Sequence, residues 1–217
     1  KQLAAHPFFT DIVNFQNSRF SHEHVAAQLT LLTINGDICD IKDRNLNTMY
    51  IEYQDFDANG DIAKKVKRVL NYLLLMFPEK TPELKRYNVV SMFALVKELL
   101  ENYAIKGREK ELAKWFIDFE TLRAMEAEKP EDQQDARLAI YQSKTKDSTD
   151  AMDSLRYRHD CWCDQLPAKL LGEFSGALLV EVIELSVLTK RNDKIRCNFP
   201  LTNVAIYRFA LSTDSAS

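Results

Sequence analysis

The stretch Asp61–Pro78, DIAKKVKRVLNYLLLMFP, decides the fold class. Ile62, Val66, Val69, Leu70, Leu73 and Phe77 recur at the spacing of one helix face, and Pro78 cannot continue a helix. The outward side of the same helix carries Lys64, Lys65, Lys67 and Arg68. No alternation of period two competes with this pattern, so the segment reads as an amphipathic helix rather than a strand.

The same texture extends in both directions. Upstream, Ser21 opens a helix whose apolar face holds Val25, Leu29 and Leu32, and Asn35-Gly36 ends it. A second helix over 41–54 is expected to bury Ile41, Leu46, Met49, Tyr50 and Tyr53. Downstream, Thr81-Pro82-Glu83 reads as a cap followed by proline at the first helical position, leading into Val89, Val90, Phe93, Val96, Leu99 and Leu100. A fifth helix turns Leu112, Trp115, Phe116, Phe119 and Leu122 inward. After the polar, Pro130-broken stretch 126–135, short helices are expected over 132–142 and 147–165. The most apolar helix follows over 168–188, and a final short one over 201–210.

Composition agrees. The chain has 217 residues, 46% hydrophobic and 28% charged, with 5 Gly and 6 Pro, too few turn formers for a many-stranded sandwich or barrel. The expected fold class is all-α, an irregular multi-helix bundle of about eight or nine helices. Two subdomains are expected: 1–128, built of about five amphipathic helices, and 129–217. A net charge of −3 gives no global positive field. The scattered Cys39, Cys161, Cys163 and Cys197 fit reduced thiols in a cytoplasm rather than a disulfide framework. No apolar run reaches the roughly 18 residues that span a bilayer. The opening, KQLAAHPFF from Lys1, reads as a piece of something longer.

Three groups of residues invite a chemical reading. In Asp55–Val66, DFDANGDIAKKV, the residues Asp55, Asp57, Asn59 and Gly60 imitate a calcium-binding loop. The final position of such a loop needs a bidentate carboxylate, and here it is Val66, preceded by Lys64 and Lys65. Asn59-Gly60 making a turn and Asp61 capping the helix account for the stretch. In His159-Asp160-Cys161-Trp162-Cys163, the spacing of four puts His159 and Cys163 on one helix face while Cys161 points elsewhere. Buried thiols beside Trp162 explain this cluster, and a small metal-binding protein is its alternative reading. No metal or other cofactor and no catalytic residue is assigned. The third group is basic: Lys64, Lys65, Lys67 and Arg68, then Arg156 and Arg158, then Lys190, Arg191, Lys194 and Arg196. Such runs are solvated faces in most proteins, and phosphate contacts in one that handles DNA.

Specific segments then resemble a family. Lys1–Phe9 (KQLAAHPFF), Ser18–Leu32 (SRFSHEHVAAQLTLL) and Asp37–Tyr53 (DICDIKDRNLNTMYIEY) are similar to the helical region of GmrSD-type restriction proteins. That family has a ParB-like, nucleotide-hydrolysing N-terminal domain with a D-G-Q-Q-R type motif and a C-terminal HNH nuclease domain. The elements that carry the resemblance are Arg19-Phe20, Ile38 to Ile41 with Asp40, Leu46 and Tyr50. The Trp115-Phe116 helix, the Arg156 to His159 helix and Arg196–Ala210 (RCNFPLTNVAIYRFA) add to it. Neither the D-G-Q-Q-R motif nor the HNH histidines occur in this sequence, so neither activity is carried onto any position.

The resemblance implies a non-catalytic helical domain of a DNA-targeting defence protein of prokaryotes. It would link the ParB-like domain to the HNH domain and touch double-stranded DNA through the ten basic residues named above. A protein-interaction scaffold without a nucleic-acid role is the alternative, no membrane partner is expected, and the sequence leaves room for a homo-oligomer.

Overall fold

The structure, a computed structural model, describes residues 1–171. Seven α-helices form there: α1 (Ser21–Asn35), α2 (Asp43–Glu52), α3 (Asp61–Met76), α4 (Arg86–Asn102), α5 (Glu109–Ala127), α6 (Ala136–Lys144) and α7 (Met152–Gln165). Short helical turns at Leu3–Ala5 and Phe8–Ile12 precede them, and no strand occurs among the described residues. The all-α reading therefore holds. The helices expected over 168–188 and 201–210 lie outside the described residues, apart from a single turn at Ala168–Leu170.

Helix α3 is the hub, packing against α1, α4 and α5, while α4 and α5 receive α7 and α6 on their other sides. Its buried face is Ala63, Val66, Val69, Leu70, Tyr72, Leu73 and Met76, with Phe77 buried just beyond its end. Tyr72 anchors it further by donating its hydroxyl to the Ile105 carbonyl at 2.7 Å. A second focus is aromatic. Trp162 of α7, fully buried, meets Phe116 edge-on with ring centroids 5.6 Å apart and Phe119 at 6.1 Å. Tyr141 of α6 stacks edge-on with Phe119 at 5.1 Å, which locks α5, α6 and α7 together. One apolar cluster runs from Leu3 through Phe93 and Phe116 to Leu155 and Leu170, crossing residue 128 without interruption.

Several boundaries differ from the sequence-based expectation. Helix α4 begins at Arg86 and not near Thr81, because the preceding segment is recruited elsewhere. Thr81 donates its backbone N–H to the Ile12 carbonyl at 3.1 Å, and the Leu84 carbonyl accepts from Asn14 at 3.1 Å. Those bonds hold 81–85 against the N-terminal arm, so Pro82 sits in a turn. Helix α2 is shorter than expected. Leu46 and Met49 are buried, whereas Tyr50 and Tyr53 are 55% and 38% exposed. Tyr50, four residues on from Leu46, lies about 40° from it around the axis and so at the edge of the Leu46/Met49 face, and Tyr53 has left helical geometry with φ −117° and ψ 46°. Leu122, expected to point inward from α5, is exposed.

The ends of α1 follow simple rules. Gly36 terminates it at φ +80°, the left-handed conformation that glycine alone adopts freely, and donates to the Leu32 carbonyl at 3.2 Å. At its start, Arg19 and Phe20 hold positive φ values of 51° and 60°. Side chains rarely adopt that conformation. It turns the chain sharply enough for Ser21 to begin the helix.

Candidate functional site

Of the six described candidates for phosphate contact, Lys67, Arg68, Arg156 and Arg158 are engaged by partners within the chain. On α3, Lys64 and Lys65 project into solvent, Lys64 within 3.7 Å of Asp61. Lys67 donates to the Ala58 carbonyl at 3.0 Å, and Arg68 donates to the Leu100 carbonyl in the last turn of α4 at 3.1 Å. A cation at a helix C-terminus is favoured there by the unpaired carbonyls. On α7, Arg156 makes a two-pronged pair with the Asp37 carboxylate at 3.2 and 3.0 Å. Lys190, Arg191, Lys194 and Arg196 lie outside the described residues.

Arg158 requires a correction. Expected as a phosphate contact, it is 0% exposed. Its Nε donates to the Ser91 hydroxyl of α4 at 2.9 Å, Nη1 to the Lys144 carbonyl at the end of α6 at 2.7 Å, and Nη2 to the Thr149 carbonyl at 2.9 Å. The guanidinium carbon also lies 5.9 Å from the centre of the Tyr87 ring. Burial pulls its pKa down, opposed by Tyr141, Asp150 and Tyr87. A guanidinium spent on three internal acceptors is not offered to a phosphate. Arg158 ties α4, α6 and the 145–151 connection to α7.

The calcium-like loop folds as a turn and a helix start. Asp57 accepts from the Asn59 N–H through its side chain at 2.8 Å and from the Gly60 N–H through its carbonyl at 3.0 Å. Gly60 flanks α3 without a side-chain cap, and Asp61, expected as the cap, is instead the first helical residue. Val66, where a calcium loop places its bidentate carboxylate, is fully buried in the core.

The densest group of chemically capable side chains lies between α4 and α7. His159, 5% exposed, sits with Nε2 2.8 Å from Oε2 of Glu98 and Nδ1 3.6 Å from Oδ1 of Asp160. The Cys163 Sγ lies 3.6 Å from His159 Nδ1 and 3.8 Å from Nε2. One ligand atom from each of Glu98, His159 and Cys163 falls within 4.8 Å of the others. Burial alone would lower the His159 pKa, but Asp160, Cys163 and Glu98 hold it well above the ordinary imidazole value. The cluster opens on a groove of about 760 Å³, rimmed by Asp37, Lys97, Glu101 and Arg156.

The sequence brings His159 and Cys163 together by helical spacing and sets Cys161 aside. In the structure Cys161 is 1% exposed and faces Gln165, whose side-chain nitrogen lies 3.9 Å from Sγ. Glu98 was missed. Nothing in its linear context, between Lys97 and Leu99, distinguishes it from any surface glutamate; only the crossing of α4 and α7 does. Burial pushes the thiols of Cys161 and Cys163 up, and that of Cys39 to about 11, where Asp40 and Asp37 add to the effect. None of these three is an activated thiolate.

An apolar hollow of about 720 Å³ runs along α1, lined by Phe20, Ala27, Ile34, Met49, Tyr50 and Tyr53. No helix among the described residues is long and apolar enough to cross a membrane. Compared with known proteins, the chain matches no family model, and neither a curated protein nor a solved structure matches it significantly. The class that fold and site define is thus an all-α protein with an acid–imidazole–thiol cluster at one helix crossing.

Proposed function

We propose that the chain is a non-catalytic helical domain of a GmrSD-like, DNA-targeting defence protein, working in the cytoplasm. It positions a nucleotide-hydrolysing domain relative to a nuclease domain and touches the DNA backbone. The segments that resemble that family motivate the wider assignment. The observation that carries the DNA contact is the outward side of α3, where Lys64 and Lys65 stand exposed on a helix whose other face is committed to the core. Ammonium groups placed in this way neutralise phosphates without reading bases.

The positioning role draws support from how the other cations are used. Arg68, Arg156 and Arg158 each bridge separate elements of the chain. This is the property of a rigid spacer. Raised thiol pKa values at Cys39, Cys161 and Cys163 are what a domain without covalent chemistry at those residues has.

The test pairs two assays on the purified chain. Incubation with duplex DNA and with nucleoside triphosphates leaves both intact, and a DNA mobility shift weakens steeply as salt rises. Hydrolysis of either substrate contradicts the non-catalytic assignment. Absence of a shift at low salt contradicts the DNA contact and favours a protein-interaction scaffold.

A further inference from the structure

We propose that Glu98, His159 and Cys163 form a binding site for a borderline-soft transition-metal dication of the zinc class, which clamps α4 to α7. Three observations converge on it. The first is the donor set: a carboxylate, an imidazole and a thiol are the three side-chain types that zinc-class ions take together. The second is spacing. In a tetrahedral site with ordinary bond lengths, sulfur and nitrogen ligands stand about 3.6 Å apart and nitrogen and oxygen about 3.4 Å. Cys163 Sγ is already 3.8 Å from His159 Nε2. The Glu98 oxygen, at 2.8 Å, need only withdraw by about half an ångström, and its side chain is 30% exposed and has the room.

The third is the surroundings. A metal-bound imidazole commonly donates its remaining N–H to a carboxylate, which fixes the ring. Asp160 stands in that position, 3.6 Å from Nδ1. The groove beside the cluster supplies an entry path and room for a solvent molecule in the fourth position.

The binding step releases two protons. Cys163 and the His159 imidazolium each lose one to solvent, and Sγ, Nε2 and Oε2 then each donate an electron pair to the ion in place of a water of the hydrated dication. The thiolate and the Glu98 carboxylate together cancel the charge of the ion, so the filled site is neutral where it is most buried. Two ligands come from α7 and one from α4, so the ion draws the two helices together. This role does not depend on the DNA assignment and adds no bond-breaking step.

Cobalt(II) is the probe. The full chain, stripped with a chelator and titrated with cobalt, is expected to bind one ion with visible ligand-field bands and a near-ultraviolet thiolate-to-metal band. Cys163→Ser removes the thiolate band. Glu98→Gln and His159→Ala weaken binding by at least about tenfold, as Asp160→Asn does through the ring it orients. Cys161→Ser, whose sulfur faces away, retains the wild-type spectrum. Helical circular dichroism identifies any variant that has unfolded; Glu98→Gln, at a partly exposed position, then serves as the deciding variant. The proposal is overturned if the folded wild-type chain shows no thiolate band with cobalt, or if Cys163→Ser or Glu98→Gln binds as wild type does.

Discussion

Replacing Arg158 by alanine separates two incompatible uses of the same residue. If Arg158 were a surface phosphate ligand, its removal would cost almost no stability, since exposed substitutions away from special features fall within about 0.5 kcal/mol. In the structure it donates to Ser91, Lys144 and Thr149 with no exposure to water. Hydrogen bonds from a charged donor contribute about 1.5–3 kcal/mol each, offset by the cost of burying the guanidinium. Truncation leaves two carbonyls and a hydroxyl without their donor and opens a cavity against Tyr87, so the net loss is about 3–5 kcal/mol. For a chain of this size that corresponds to a melting point lower by about 10 °C.

Thermal and urea denaturation followed by circular dichroism read this directly. Two companion variants grade the effect. Ser91→Ala removes one acceptor and costs about 1 kcal/mol. Arg158→Lys keeps the charge but cannot reach three diverging acceptors, and falls between wild type and Arg158→Ala. An Arg158→Ala chain that melts with wild type and binds DNA more weakly refutes the internal-brace reading.

Three further outcomes follow from local geometry. Asp135 caps α6 by accepting from the Arg137 and Leu138 N–H groups, so Asp135→Ala lowers unfolding free energy by about 1 kcal/mol and speeds hydrogen exchange in the first turn of α6. Tyr72→Phe strands the Ile105 carbonyl and costs about 1 kcal/mol in urea unfolding. At Asp37, burial pushes the carboxyl pKa up, but the bonds from Arg156 and the Ile38 N–H outweigh it and hold the pKa below its usual 3.8. The stability this contributes is complete above the unfolded value and disappears as pH falls through the folded one. Because the pair is exposed, it amounts to less than about 1 kcal/mol. Asp37→Asn therefore lowers stability at neutral pH by less than about 1 kcal/mol, leaves the strongly acid end unchanged, and so flattens the acid limb of a stability–pH curve.

Much of the framework was legible because local signals and packing agree. In α3 the apolar period, the Asn59-Gly60 turn and Pro78 point to one element, and in α1 Ser21 and Gly36 mark both ends. Where the reading failed, a tertiary contact overrode a local signal. Thr81-Pro82-Glu83 has the chemistry of a helix start, but its backbone pairs with Ile12 and Asn14 instead. Tyr50 follows a good helical run, yet α2 rests mainly on α1, and this shallow contact leaves the tyrosine exposed.

The site residues were harder to place. Arg156 and Arg158 look alike in sequence, two cations on one helix. They differ by about 200° around its axis, which puts one at the groove rim and the other in the core. His159 and Cys163 could be paired from spacing alone. Glu98 could not, since its proximity exists only once α4 crosses α7.

The central claim, that α3 offers phosphate contacts through Lys64 and Lys65 while Lys67, Arg68, Arg156 and Arg158 are engaged within the chain, is tested most directly by the salt dependence of duplex DNA affinity. The logarithm of the binding constant is plotted against that of salt concentration for wild type and for the Lys64→Ala/Lys65→Ala double variant. Losing two phosphate contacts reduces the slope by about 1.8, at about 0.9 per contact. The account predicts that reduction together with an unchanged melting point, because both side chains lie outside the core. A wild-type affinity indifferent to salt, or a double variant with the wild-type slope, contradicts it.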